Sequence, residues 1–318
     1  MKIKVIGFKD VCTVLPQTGG TGYEFVDGGD DYDWLVVYDE LRVPEMLKCP
    51  PENTILATSE PVSIKCYSRA YTRQFAYLLT NRPYEAERHP GYRLGRGYYR
   101  PFIGRSPMDC GNGALSVKTK MISTACSSKR MKHTKHFARY RLTETLSRLV
   151  PGFEWYGHGV KSFERKYDIL DDYRYHVVVE NHIAPHHWTE KLSDAFLAEC
   201  LPFYAGDPRI AEDFPSGSFI PIPIDDPEKA AAIINAAIEN DEYSKRRAAV
   251  LEAKRLVLNK YNFWRQVIDV IESAGTSSDS ARQEPASVIL PRKVIRRRNP
   301  LAAFEEGWFH FKQYIGAI

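Results

Sequence analysis

Apolar positions along this chain come in short blocks rather than in strict alternation. Runs at Ile3–Phe8, Asp33–Tyr38, Thr54–Thr58 and Phe75–Thr80 are each bounded by polar, Gly or Pro residues. Continuous apolar runs of this kind predict the strands of a parallel sheet covered on both faces. A second series follows: strands at Lys120–Thr124, Phe153–Tyr156, Tyr175–Val179 and Leu201–Tyr204, alternating with helical patterns. Residues His136–Leu149 put Leu142, Leu146 and Leu149 on one helix face, and a further helix starts at Thr189. Asp226-Pro227-Glu228 reads as a helix start, with an N-cap, a proline at the first position and an early acid. Its apolar stripe is Ala230, Ile233, Ile234, Ala237 and Ile238. One long charged helix is predicted over Glu242–Ser273. Asn299-Pro300 opens a last helix carrying Phe304, Trp308, Phe311 and Ile315 at helical spacing.

Two α/β series interrupted by a Gly/Pro-containing stretch at Gly104–Gly113 predict an α/β protein of two Rossmann-like domains facing a cleft. The expected divisions are 1–112, an amino-terminal acceptor-side domain, and 113–273, a nucleotide-sugar-binding domain. A flexible connector at 274–290, rich in Ser, Gly and Asp through Ser287, and a basic, aromatic helical tail at 291–318 follow.

Composition narrows the function classes. With 318 residues, 43% hydrophobic and 26% charged, the chain suits a globular protein with room for two cores. The opening Met1–Phe8 is broken by lysines and predicts no signal peptide, and no stretch is apolar enough to span a bilayer. Cys12, Cys49, Cys66, Cys110, Cys126 and Cys200 are scattered, which fits a reducing, cytoplasmic setting rather than a disulfide scaffold. The net charge of +4 is local. Arg292–Arg298 holds five basic residues, and without them the chain is close to neutral, so general nucleic-acid binding is not implied.

The richest segment is Glu180–Lys191, a polar loop between the apolar run at 175–179 and a helix. Ligands of open α/β sheets sit beyond the carboxyl ends of strands, where such loops emerge. Lys191 falls in the first helical turn, where free N–H groups and the helix dipole already favour an anion, and a diphosphate is the obvious candidate. Taken alone, Lys191 also reads as a solvent-exposed first-turn residue, and Glu60 as an ordinary glutamate before a proline. His182, His186 and His187 fit no strong metal pattern, with no Cys or Asp-x-Asp beside them, so no metal is expected. Gly19-Gly20-Thr21-Gly22 lacks the spacing of a dinucleotide fingerprint or P-loop and reads as a cleft loop.

Residues 118–265 resemble the donor-binding half of glycosyltransferase family 10, the α-1,3/4-fucosyltransferases. The match rests on Glu180-Asn181, the triplet Thr189-Glu190-Lys191, the continuation Leu201–Gly206 with Phe214 and Phe219-Ile220, and an arginine-led helix at His136–Arg139. Thr58-Ser59-Glu60-Pro61 is similar to the element carrying the family's proposed base. The resemblance implies a GT-B architecture and an inverting, metal-independent transfer of fucose from GDP-fucose to a glycan hydroxyl, with no tightly bound cofactor. Carried over by position, Glu60 is the general base. Arg139 and Lys191 bind the diphosphate, with Arg141 a competitor for the arginine role. Glu190 holds ribose or sugar hydroxyls, and Glu180 and Asn181 line the donor pocket. His187 stands where the family often has tyrosine, so it is a candidate donor contact and leaves the donor sugar open. Alternatives are another nucleotide-sugar donor on the same fold, a non-catalytic nucleotide- or glycan-binding protein, and nucleic-acid binding through the basic run. The tail is expected to pack on the amino-terminal domain, with residues 292–318 also a candidate for peripheral contact with the inner face of a membrane.

Overall fold

The structure, a computed structural model, describes residues 1–7, 22–61, 64–97, 117–128, 135–275 and 288–314. The Gly104–Gly113 stretch, Gly19–Thr21, residues 276–287 and Ile315 lie outside them. The chain forms two compact units, one of Met1–Arg96 with Phe263–Ile318, the other of Gly97–Asn262.

In unit 1, strands β1 (Lys2–Ile6), β2 (Glu24–Val26), β3 (Trp34–Tyr38), β5 (Thr54–Thr58), β6 (Tyr77–Thr80) and β7 (Tyr92–Leu94) form one parallel sheet in the order β2-β1-β3-β5-β6-β7. β3 and β5 are buried along their whole length, as apolar runs in the middle of a covered sheet should be. The short β4 (Glu45–Met46) pairs antiparallel with β13 (Val288–Ile289). One short helix, α1 (Arg69–Thr72), lies between β5 and β6.

Unit 2 holds β8 (Lys120–Ala125), α2 (His136–Leu149), β9 (Phe153–Tyr156), β10 (Tyr173–Val179), α3 (Glu190–Leu197), β11 (Leu201–Ala205), β12 (Ile220–Pro221), α4 (Pro227–Glu239) and α5 (Glu242–Asn259). Its strands are all parallel, in the order β12-β11-β10-β8-β9. Leu142 and Leu146 of α2, Leu192 and Phe196 of α3, and Ala230 and Ile234 of α4 close one continuous core with the sheet. Asp226 caps α4 by accepting the Lys229 N–H at 3.0 Å, and Pro227 takes the first helical position.

The units part at 96/97 and 262/263, against the sequence-based divisions at 112/113 and 273/274. The single helix expected over Glu242–Ser273 is two, α5 and α6 (Phe263–Ser273). Between them Tyr261 turns inward, its hydroxyl donating to the Asp213 carbonyl at 3.0 Å, and Asn262 caps back onto the Leu258 carbonyl at 2.7 Å. α6 then belongs to the first unit: Phe263 meets Tyr38 edge-on at 5.4 Å, and Trp264 packs on Phe25 at 4.7 Å.

α7 (Arg292–Arg298) and α8 (Pro300–Tyr314) also belong to unit 1. Ile295 and Ala302 enter its core. Arg292 is held by Glu40 and Glu306, each at 2.9 Å, so this member of the basic run is internal. Phe309 stacks on Tyr84 at 5.6 Å. The expected packing face of α8 is the outer one. Phe304, Trp308 and Phe311 are 69%, 46% and 50% exposed, with Leu301 at 79%, while Ala302 and Glu306 face inward. Cys49, Cys66, Cys126 and Cys200 are buried thiols, with no disulfide among the described residues.

Candidate active site

The strand order of unit 2 reverses between β8 and β10. β9 lies on the far side of β8, whereas β11 and β12 extend beyond β10. The loops leaving the carboxyl ends of β8 and β10 therefore diverge, and the crevice between them is where doubly wound sheets take their ligands. The candidate residues converge there. α2, which follows β8, supplies Arg139 from its first turn. The loop after β10 supplies Glu180 and Asn181, and α3, which ends that loop, supplies Glu190 and Lys191.

Arg139 is buried. Its Nη1 donates to Asn181 Oδ1 and its Nη2 to the Ala125 carbonyl at 3.4 Å, so one guanidinium ties the β8 and β10 loops together. Arg141, two residues on and about 200° around the helix, is exposed. Asn181 is exposed.

Glu180 is fully buried, and its carboxylate is spent on the loop that follows. It accepts the Thr189 N–H at 2.9 Å, the Thr189 hydroxyl at 2.8 Å and the Lys191 ammonium at 3.3 Å. Glu180 thus fastens the start of α3 to the end of β10. Gly206 leaves the space it needs: a Cβ there would lie 2.7 Å from Glu180 Cγ and 2.2 Å from the Tyr204 hydroxyl. Thr189, the helix N-cap, also meets the Lys191 ammonium at 2.9 Å. Glu190 pairs with Lys191 at 3.3 Å.

Lys191 and Glu190 are partly exposed, at 21% and 28% of their side chains. Burial pulls the Lys191 ammonium down, but Glu180 and Glu190 outweigh it and hold its pKa above the ordinary value. Arg139 opposes them, which places two cations within electrostatic reach of each other. Burial pushes the Glu190 carboxyl up, and Lys191 with Lys166 more than reverses it, so its pKa is lowered. The result is a charged site whose Lys191 ammonium stays protonated over the physiological range.

Beneath it lies a second layer. Asp194, one turn into α3, is buried and paired with Lys166. Burial lifts its carboxyl to about 6 against the pull of Lys166. His176 of β10 hydrogen-bonds Ser123 across the strands at 2.8 Å, and burial drops its pKa to about 3, leaving it neutral. Lys166, His176, Asp194 and Lys191 line a small cavity of about 20 Å³.

His187 is buried, its ring meeting that of His182 edge-on at 5.2 Å. The next residue, Trp188, is the anchor of this loop. It donates to Asp213 Oδ2 at 2.8 Å and lies so close to Gly97 that a Cβ there would come within 2.0 Å of the indole. His186, Asp207 and Asp213 bring three buried ligand-type atoms within 4.8 Å of one another, the group among the described residues that could hold a metal ion. Its carboxylates come from the loop after β11, far along the chain from the histidines. Asp213 also takes the Tyr261 hydroxyl on its carbonyl, so it joins Trp188 to Tyr261, and Asp207 Oδ1 takes the Arg209 N–H at 2.8 Å.

In unit 1, Glu60 follows β5 at the carboxyl edge of that sheet and is half-buried. The Ser59 hydroxyl shares a 2.6 Å hydrogen bond with that of Tyr38, and the Ser59 N–H reaches Asp39 Oδ1 at 3.4 Å.

No family model matches the chain. No curated protein sequence matches it either. Solved structures do. The crystal structure of an alpha1,3-fucosyltransferase aligns at 13% identity and a TM-score of 0.50, over 79% of this chain and 80% of that one. The crystal structure of alpha1,3-fucosyltransferase with GDP-fucose aligns at 14% identity and a TM-score of 0.52, over 90% and 93%. At these identities the likeness is one of fold, and the chain has the GT-B fold of two Rossmann-like domains.

Proposed function

We propose that this chain is an inverting glycosyltransferase that moves fucose from GDP-fucose to a glycan hydroxyl. The observation that carries the reading is the convergence of Arg139, Asn181, Glu190 and Lys191 at the point where the sheet order of unit 2 reverses. A nucleoside diphosphate presents there the paired negative charge that a guanidinium fork and an ammonium suit.

In the reaction the acceptor hydroxyl gives its proton to Glu60 while its oxygen bonds the anomeric carbon from the face opposite the nucleotide. The bond from that carbon to the phosphate oxygen breaks, and its electron pair leaves with the diphosphate. Arg139 and Lys191 stabilise that growing charge, which preorganised cations do far better than water. Glu190 accepts hydrogen bonds from ribose or sugar hydroxyls, and Asn181 borders the donor. Glu180, buried as it is, sets the position of Lys191 and Thr189. The described residues contain no helix long and apolar enough to cross a membrane. The outward stripe of α8, beside Arg296, Arg297 and Arg298, supports peripheral docking on an anionic membrane face, where apolar burial and basic residues act together.

Calorimetry with GDP and a transfer assay with GDP-fucose test the reading. Lys191→Ala weakens GDP binding by about tenfold or more, and Glu60→Gln lowers turnover by about 10²–10⁴-fold with GDP affinity intact. Unchanged affinity in the first variant removes the diphosphate role, and near-normal turnover in the second removes the base. A different activated sugar on the same machinery is the second reading, supported by the buried His187 where tyrosine is common in the family. A panel of nucleotide sugars in a donor-hydrolysis assay separates the two.

A further inference from the structure

Arg82 is an internal cation that the reaction scheme above does not use. It follows β6 by two residues, at the carboxyl edge of the unit 1 sheet, and is 5% exposed. Its Nη2 donates to the Glu60 carbonyl and, at 2.7 Å, to the Lys65 carbonyl. The guanidinium lies over the ring of Tyr67, 4.9 Å from its centroid, and Tyr67 is itself tied by its hydroxyl to Asp39 at 2.8 Å. Nε and Nη1 are buried, with Tyr84 beside the guanidinium.

A cation taken out of water is an expensive way to bridge two carbonyls, with an effective penalty of several kcal/mol even after relaxation. The ring face of Tyr67 offsets part of that. What the arrangement gains is geometry. Both bonds come from Nη2 of a planar guanidinium seated over a fixed ring, so the two backbone points are held in one set orientation. The two points are the carbonyl of Glu60 and that of Lys65. On the other side of Glu60, Ser59 is held by Tyr38 and Asp39. The main chain around Glu60 is therefore held from both directions.

We infer that Arg82 is a positioning residue for Glu60, the clasp that fixes the proposed base at the sheet edge. This rests on the reading of Glu60 given above. Reacting groups displaced by about 1 Å lose on the order of 10²-fold in rate, so a clasp on the main chain of a base should register in turnover.

The test uses the full chain, with Arg82→Met, Arg82→Lys, Glu60→Gln and the double variant Arg82→Met/Glu60→Gln. Expected for Arg82→Met is a fall of about 10- to 100-fold in acceptor-dependent turnover, with the KM for GDP-fucose and the affinity for GDP within about twofold. Amide hydrogen exchange at Ser59, Glu60, Ile64 and Lys65 speeds up relative to β10 and β11. Arg82→Lys, which keeps the charge, recovers part of both effects, and it carries the comparison should Arg82→Met fail to fold. In the Glu60→Gln background Arg82→Met removes no further turnover, because a residue that acts through another has nothing left to act on. Unchanged exchange at those four amides overturns the clasp, as do losses that multiply in the double variant. Normal turnover of Glu60→Gln alone overturns the base and with it the link to catalysis. Exchange then still decides whether Arg82 holds that segment.

Discussion

Replacing Glu180 by glutamine isolates what its charge does, because the shape of the side chain is kept. In the parent three donors converge on one buried carboxylate: the Thr189 N–H and hydroxyl and the Lys191 ammonium. Charge-assisted hydrogen bonds are worth about 1.5–3 kcal/mol net and neutral ones about 0.5–1.5. Neutralising the acceptor in two or three such contacts removes on the order of 2 kcal/mol. The new amide adds a problem of its own, since its NH₂ must face donors and one group loses its partner, for about another 1–3 kcal/mol. Denaturant unfolding should therefore show a loss of about 3–5 kcal/mol. Loosening Lys191 should also weaken GDP, tenfold for each 1.4 kcal/mol of lost pairing. The two readouts separate the claims. Parental stability in Glu180→Gln refutes the buried-anchor reasoning whatever the ligand. A large loss of stability with parental GDP affinity refutes only the idea that the anchor sets Lys191 for the nucleotide.

Three further outcomes are expected. Asp194 has a folded pKa of about 6, above the ordinary aspartate value of 3.8. The stability it contributes is thus full below that unfolded value and lost as pH rises through about 6, by on the order of 3 kcal/mol for two units. Asp194→Asn should be the more stable protein at pH 7.5 by about 1–3 kcal/mol and equal to the parent near pH 4; a less stable variant at pH 7.5 would mean the Lys166 pair outweighs burial. Exhaustive chelation should leave transfer within about twofold, since Arg139 and Lys191 meet the leaving-group charge. A loss restored by a divalent cation would refute this, and a lowered Tm with full activity would identify His186, Asp207 and Asp213 as a structural ion site. Changing Phe304 and Trp308 to serine should lower co-sedimentation with phosphatidylserine vesicles and leave transfer to a soluble acceptor unchanged; equal sedimentation removes the docking role of the outer stripe.

Central strands were legible because burial on both faces writes itself as an unbroken apolar run: β1, β3, β5, β8, β10 and β11 lie where such runs predict them. The edge strands β2 and β7 are short, with Glu24-Phe25-Val26 and Tyr92-Arg93-Leu94 looking like loop residues, and only pairing with a neighbour makes them strands. The break at 260–262 has no Gly or Pro to announce it; it arises from Tyr261 reaching Asp213, a contact between residues 48 positions apart. The same holds at the site. Glu180, Asn181, Glu190 and Lys191 are neighbours in sequence, so one loop displays them together. Arg139 required the family resemblance, Arg82 and the Lys166–Asp194 pair carried no motif, and the carboxylates beside His186 lie on another loop altogether. A charged residue directly after an apolar strand, as in Asn81-Arg82-Pro83 after β6, is the one local hint that Arg82 gave.

Because its first fold is split by its second, the order in which this protein can be made is constrained. Residues 97–262 form a contiguous stretch and can close as soon as they leave the ribosome, whereas the amino-terminal sheet must wait for Phe263 and Trp264 to cover Tyr38 and Phe25. A nascent chain arrested before residue 263 would present a finished later lobe and an unfinished earlier one.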